Sequence, residues 1–243
     1  MIRLYRSGRF ETLGDASPFV YKLETWMRMA RVPFEAEVLP VTTLLQNAPR
    51  KLIPYIDDGR ERLGDSSLII RYLQDKYDDP LGDRTLSHDQ VMLGSLIKTL
   101  CEHELFYIMI YGRWIDGDYL SFSRFLARQE PEDRRAQAAE LSLKYVKDML
   151  NAYRIGRYEP EFVQQALQEK LEVLSHFLGD QPWLLGNVPS MFDAGLYAIL
   201  ASFIHFPLPN KHVEIARGYE NLVAYCDRIK ATVYDQESWV HGA

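Results

Sequence analysis

Along the first eighty residues the spacing of apolar positions changes repeatedly, which is how a mixed α/β unit reads. Ile2-Arg3-Leu4-Tyr5 alternates with period two and predicts a short strand. Val20, Leu23, Met27 and Ala30 recur at helical spacing behind Ser17-Pro18, so a helix follows. Phe34 to Val38 alternates again, and a strand, helix, strand order at this spacing implies a right-handed parallel crossover. Tyr55-Ile56-Asp57 and Arg60 to Leu63 flank Asp58-Gly59, a dipeptide suited to a tight hairpin turn. Asp65-Ser66-Ser67 then opens an amphipathic helix through Ile69, Tyr72, Leu73 and Tyr77. The predicted order is βαβ followed by ββα.

Beyond Asp78-Asp79-Pro80-Leu81-Gly82-Asp83, a polar, turn-rich stretch, no strand pattern stands out. Helices are predicted over about Ser87 to Trp114, Glu132 to Tyr153, Pro160 to Leu178, Ser190 to Phe206 and Tyr219 to Thr232. The expected organisation is therefore a thioredoxin-like α/β domain with a mixed sheet over 1–79, a linker over 80–86, and an all-helical domain over 87–243. Ser190-Met191-Phe192-Asp193 reads as a capping box at the head of the most apolar helix. That apolar run, Leu196 to Phe206, has half of the roughly 20 residues a bilayer requires, so a buried helix is expected and no membrane span.

Composition narrows the function. The chain has 243 residues, 47% of them hydrophobic and 26% charged, with a net charge of −6, as in a folded protein with a substantial core. Its first eighty residues balance 12 basic against 12 acidic side chains, so the excess acid lies in the remainder and no nucleic-acid face is expected. Cys101 and Cys226 are too few for a disulfide framework, and the first residues lack the apolar run of a secretory leader. A reducing cytoplasm is the expected setting. Cys101, Glu102, His103 and Glu104 occupy successive helical positions, point in different directions, and cannot converge on one metal. There is also no Cys-x-x-Cys pair, phosphate-binding Gly loop or Gly-x-Ser-x-Gly elbow.

Three short stretches remain as candidate chemistry. Ser17-Pro18-Phe19-Val20 puts a hydroxyl and a proline at a helix start, which serves equally as a helix cap or as a hydrogen-bond donor at the positive end of the helix dipole. Ile53-Pro54-Tyr55 places a proline directly before a strand. Asp65-Ser66 pairs an acceptor with a donor at a second helix start.

On these residues the chain resembles the glutathione transferase superfamily. The wider stretch from Ser17 to Trp26, with Arg28-Met29-Ala30 and Pro33-Phe34-Glu35, is similar to its metaxin-like, failed-axon-connections branch. The resemblance implies glutathione as co-substrate, a small apolar electrophile and a homodimer. Ser17 would hold the glutathione thiolate, with Tyr5 at the end of the first strand as its rival. Ile53 beside a cis Pro54 would pair with the cysteinyl backbone, and Asp65 and Ser66 would take the γ-glutamyl ammonium and carboxylate. A thiolate beside a hydroxyl donor at a helix N-terminus forms more easily, which suits nucleophilic addition or substitution.

Two departures accompany the resemblance. Leu52 stands where family members often carry a Lys for the glycyl carboxylate, so Lys51 or Arg50 would have to substitute. Val20 stands where relatives of the branch often carry Cys. Eleven residues, Arg6 to Ala16, separate Tyr5 from Ser17, more than most transferases have there, and Arg6 and Arg9 in this loop read as solvated or as cover for an anion. Tyr107 and Tyr111, with Trp114 nearby, form an aromatic stripe on the helix that in this superfamily faces the electrophile, although such stripes also serve as core. An alternative the resemblance also implies is a non-catalytic adaptor with the transferase fold.

Overall fold

A computed structural model describes residues 1–234 of the chain. Four strands, β1 (Ile2–Arg6), β2 (Phe34–Val38), β3 (Tyr55–Asp57) and β4 (Arg62–Gly64), form one mixed sheet in the order β2-β1-β3-β4. β1 pairs parallel with β2, through the crossover helix α1 (Pro18–Met29), and antiparallel with β3, whose hairpin partner is β4.

Period-two alternation sorts β1 onto two faces. Leu4 joins Leu23, Trp26 and Met27 of α1 and Ile69, Ile70 and Leu73 of α3 (Ser66–Lys76), while Tyr5 joins Leu44, Ala48 and Tyr55 in a smaller cluster. Leu44 belongs to α2 (Val41–Asn47), which the sequence pattern did not predict. Its first three residues are β-branched Val41-Thr42-Thr43, poor helix formers, and only Leu44 is buried, so it carries no amphipathic signal.

The second half is helical. The predicted helix over 87–114 resolves into α4 (His88–Thr99), a π-helical turn over Leu100–Leu105, and α5 (Phe106–Trp114). Then come α6 (Tyr119–Ala127), α7 (Glu132–Ala152), α8 (Pro160–Leu178), α9 (Met191–Ile204), α10 (Lys211–Arg217) and α11 (Glu220–Val233). Of these, the two short helices α6 and α10 escaped the sequence reading.

Every residue of α9 after Met191 is buried, and α9 packs against α1. A helix that is apolar all round must lie inside. Its first turn would bury unpaired N–H groups, and the predicted capping box answers this. The Asp193 carboxylate accepts from the N–H and hydroxyl of Ser190, at 2.8 and 2.7 Å, from Leu184 N–H at 2.7 Å and from Tyr225 Oη at 2.9 Å. Because α1 lies between the sheet and α9, Pro18 and Val20 to Met27 are all buried. Its polar members Lys22 and Glu24 therefore need partners, and those partners organise the site.

Candidate functional site

Ser17 is the N-cap of α1, with β-region backbone, and is half-buried. Its Oγ accepts from Val20 N–H at 3.4 Å, a long bond, and among the described residues it donates to nothing. The hydroxyl lies at the positive end of a helix.

The loop from Arg6 to Ala16 is tied down from inside. Asp15 is fully buried and accepts from Ser7 Oγ at 2.8 Å, Gly8 N–H at 3.1 Å, Ser17 N–H at 2.9 Å and Arg6 Nε at 3.3 Å. Burial raises the Asp15 pKa, while Arg6 and these donors oppose the rise. Arg6 also reaches Glu24 at 2.7 Å and the Gly14 carbonyl, and Glu24 accepts from Arg28 at 2.8 and 3.0 Å. The expectation of a solvated Arg6 is thus corrected: a buried acid on each side takes it inside, and only Arg9 faces solvent. From α5, Arg113 donates to the Ala16 carbonyl at 2.9 Å and the Ser202 carbonyl at 2.8 Å. Complete burial pushes its guanidinium down to about 9. Ser17 is thereby held through the residues just before it.

The Ile53–Pro54 peptide is cis, as expected for this segment. The Pro54 carbonyl accepts from Asp65 N–H at 3.3 Å, which joins the second candidate stretch to the third. Asp65 has φ +79° and ψ 117°, a region costly for a residue with a Cβ. Its Oδ1 accepts from Ser67 N–H at 2.9 Å and Leu68 N–H at 3.1 Å, so these two helix donors are already taken. Ser66 is buried beside it.

Lys22, one turn beyond Ser17, donates from Nζ to Ser67 Oγ at 2.9 Å and to Glu102 Oε1 at 2.6 Å, and so joins α1, the start of α3 and the π turn. Burial lowers its pKa against the pull of Glu102. Sequence reasoning missed this link. Its signals were an ionisable residue within a buried helical face and a π turn that no apolar period reveals.

The other predicted residues are placed less directly. Tyr5 stacks on Tyr55, with ring centroids 4.5 Å apart, on the α2 side of the sheet, whereas α1 packs with Leu4 on the opposite face. Lys51 is exposed and donates to the Gln46 carbonyl at 2.6 Å, Leu52 is 58% exposed, and Arg50 donates to the Gly64 carbonyl at 3.2 Å. Tyr111 and Trp114 are buried in the helical core, where Tyr111 donates to the Tyr158 carbonyl at 3.2 Å and Trp114 meets Phe122 edge-on. Tyr107 is half-buried, stacked on Tyr153 and edge-on to Phe106, which in turn lies 5.0 Å from Phe19 of the Ser17 motif. Through Phe19 the Ser17 motif therefore meets Phe106, and Phe106 meets Tyr107. Among the described residues no three potential ligands converge on a metal, and no helix is long and apolar enough to cross a membrane.

Comparison with known proteins bears on the family and the fold. A model of the glutathione S-transferase N-terminal domain matches residues 18–119, and one of the glutathione S-transferase C-terminal domain matches 167–229. The chain is 31% identical over 222 residues to isoprene-epoxide–glutathione S-transferase of Rhodococcus sp. (strain AD45), covering 89% of this chain and 92% of that protein. It is 25% identical to Failed axon connections of Drosophila melanogaster over 95% of this chain, and 27% identical to metaxin-1 of Mus musculus over 71% of it. It spans only 57% and 56% of those two proteins. The apo structure of glutathione S-transferase III superposes with a TM-score of 0.61 at 18% identity, covering 98% of this chain and 93% of that one.

Proposed function

The chain belongs to the glutathione S-transferase family, and on that premise we propose that it binds glutathione and adds its thiolate to a small apolar electrophile. An epoxide is the class suggested by the Rhodococcus relative's name. The sulfur attacks a ring carbon, the carbon–oxygen bond breaks towards oxygen, and the alkoxide takes up a proton. What supports this reading is the Asp65 N–H to Pro54 carbonyl bond, which joins the Ile53–Pro54 and Asp65–Ser66 stretches, together with the Lys22 bond to Ser67 from the helix that Ser17 caps.

Ser17 supplies the hydroxyl that holds the thiolate, worth about 1.5–3 kcal/mol for a charged acceptor. The Ile53 backbone pairs with the cysteinyl residue. Asp65, through Oδ2, which accepts no bond among the described residues, takes the γ-glutamyl ammonium, and Ser66 takes the carboxylate. Lys51 or Arg50 would meet the glycyl end after a local rearrangement. Phe19, Phe106 and Tyr107 receive the electrophile, while Tyr5, Tyr111 and Trp114 serve the fold. A homodimer through α3 and α4 would cover the exposed Leu68, Met92 and Leu96, and a reducing cytoplasm suits two buried free thiols. Calorimetric titration with glutathione tests the reading: submillimolar binding supports it, and binding at millimolar levels or weaker removes the case for a catalyst.

A second reading, a glutathione-transferase-fold adaptor, is favoured by the glycyl end, where Leu52 is exposed and Lys51 bonds the chain's own backbone. Under it, glutathione binding is absent and Ser17 is only a cap.

A further inference from the structure

The peptide group between Ala16 and Ser17 is held at both ends by buried ions. Its carbonyl accepts from Arg113 Nη1 at 2.9 Å, and its N–H donates to Asp15 Oδ1 at 2.9 Å. A peptide dipole is negative at oxygen and positive at the amide hydrogen, so a cation on the one and an anion on the other fix its plane. The residue that follows this plane is Ser17, whose side chain bonds its own helix only at 3.4 Å.

Arg113 lies in an apolar part of the helical core. It is 2% exposed, it forms no ion pair among the described residues, and its Nε donates to nothing there. Its neighbours are two carbonyls, those of Ala16 and, at 2.8 Å, Ser202, and the rings of Phe206 and Phe122, whose centroids are 4.4 and 5.4 Å from its guanidinium carbon. A buried charge without a carboxylate destabilises a fold, and an apolar side chain of similar size would fill the space at less cost. Packing alone therefore does not account for an arginine here. A rigid, planar fork of donors does suit the joining of two carbonyls from different elements: Ala16 precedes α1, and Ser202 is in α9.

Arg113 also shares a face of α5 with Phe106, because the two are about two helical turns apart. That face meets the start of α1 twice, through Arg113 at Ala16 and through Phe106 at Phe19, whose rings lie 5.0 Å apart. Ser17 stands between those two contacts in the chain. One helix thus carries aromatic surface for the electrophile and grips the residue in front of the serine.

We propose that Arg113 is a positioning residue for Ser17, which aims the serine hydroxyl at the glutathione sulfur and keeps it in register with the electrophile side of α5. It acts through the Ala16–Ser17 peptide and touches neither reactant. The role rests on the transferase reading, with Ser17 as the donor to the thiolate.

A double-substitution cycle tests it, pairing Ser17→Ala with Arg113→Lys, which keeps a cation and loses the fork. In Arg113→Lys the kcat for conjugation of a test epoxide falls about tenfold or more. Glutathione affinity stays within about twofold by calorimetry, so the loss lies in turnover and not in binding. The ultraviolet titration of the bound thiolate moves to higher pH, because a misdirected hydroxyl no longer favours the charged sulfur. In the Ser17→Ala background the same substitution changes neither rate nor titration. An equal fall in both backgrounds, a loss of affinity as large as the loss of rate, or an unmoved titration overturns the proposal and leaves Arg113 a strut of the core. Hydrogen exchange of the natural chain stands even if the variant does not fold: the Ser17 amide exchanges only through global opening, and fast exchange there overturns the clamp. The two failures are distinguishable. A natural chain that binds no glutathione loses the transferase reading and this role together, whereas one that conjugates as fast and with the same pH dependence as Arg113→Lys loses this role alone.

Discussion

The starts of α1 and α3 use the same capping chemistry and spend it differently. At α3 the Asp65 side chain makes two short bonds to the helix, at 2.9 and 3.1 Å, and its backbone adopts a costly positive φ to do so. At α1 the Ser17 side chain makes one bond of 3.4 Å, and the local order comes instead from Asp15, which receives four donors, and from Arg113 on the Ala16 carbonyl. One cap is occupied by its helix. The other has been relieved of that duty by buried neighbours, which leaves a hydroxyl held in place that donates to nothing among the described residues.

Substitutions can break this contrast, and the largest effect belongs to Asp15. Asp15→Ala strips Arg6 of a buried partner and leaves Ser7, Gly8 and Ser17 without their acceptor, so urea unfolding is expected to show a loss of about 3–5 kcal/mol. A loss below about 1 kcal/mol would mean that the loop is held by something else. For Ser17→Ala the expected pattern reverses. Conjugation of a test epoxide falls about ten- to a hundredfold, from the 1.5–3 kcal/mol of a charge-assisted bond, while the unfolding midpoint hardly moves. Equal conjugation rates in the variant and the natural chain would reduce Ser17 to a cap.

Asp65→Ala should cost about 1 kcal/mol of stability through the lost cap and weaken glutathione binding as well. Asp65→Gly separates the two effects, since glycine adopts φ +79° without strain. Its stability loss should be smaller than that of the alanine variant, with binding weakened as much. The smallest effect is expected one step behind α3. Asp58 accepts from Lys76 Nζ at 2.9 Å, from Tyr72 Oη and from the N–H groups of Arg60 and Glu61, and these bonds, that from Tyr72 foremost, hold its carboxyl well below the usual carboxylate range. A depressed folded pKa gives stability that is present above the unfolded value near 3.8 and lost as pH falls through the folded one. Asp58→Asn should therefore flatten the acid limb of the stability profile and leave neutral-pH binding of glutathione unchanged.

Much of the candidate site was legible in the chain. Ser17-Pro18, Ile53-Pro54 and Asp65-Ser66 are each contiguous, and each sits at the edge of a periodic segment, so local pattern finds them. Tyr107, Tyr111 and Trp114 show what such reading leaves open between pocket and core. Helical spacing puts the three near one another, but it does not say that α10 and the α8 approach cover Tyr111, through His212 and the Tyr158 carbonyl, or that Phe122 of α6 covers Trp114. Arg6 fails for the same reason, since its partners Asp15 and Glu24 belong to a loop and a helix that meet only after folding.

The sequence alone determined the order of the strands and of the longer helices, the cap of α9 and the residue types at three helix or strand starts, because periodicity and capping act over a few residues. The tertiary structure decided what those residues are free to do. Lys22 with Glu102, eighty positions apart, and Arg113 with Ala16, ninety-seven apart, are held by burial and hydrogen bonding across the fold. Contacts at such separations depend on which faces pack together, and a period read along the chain does not record that.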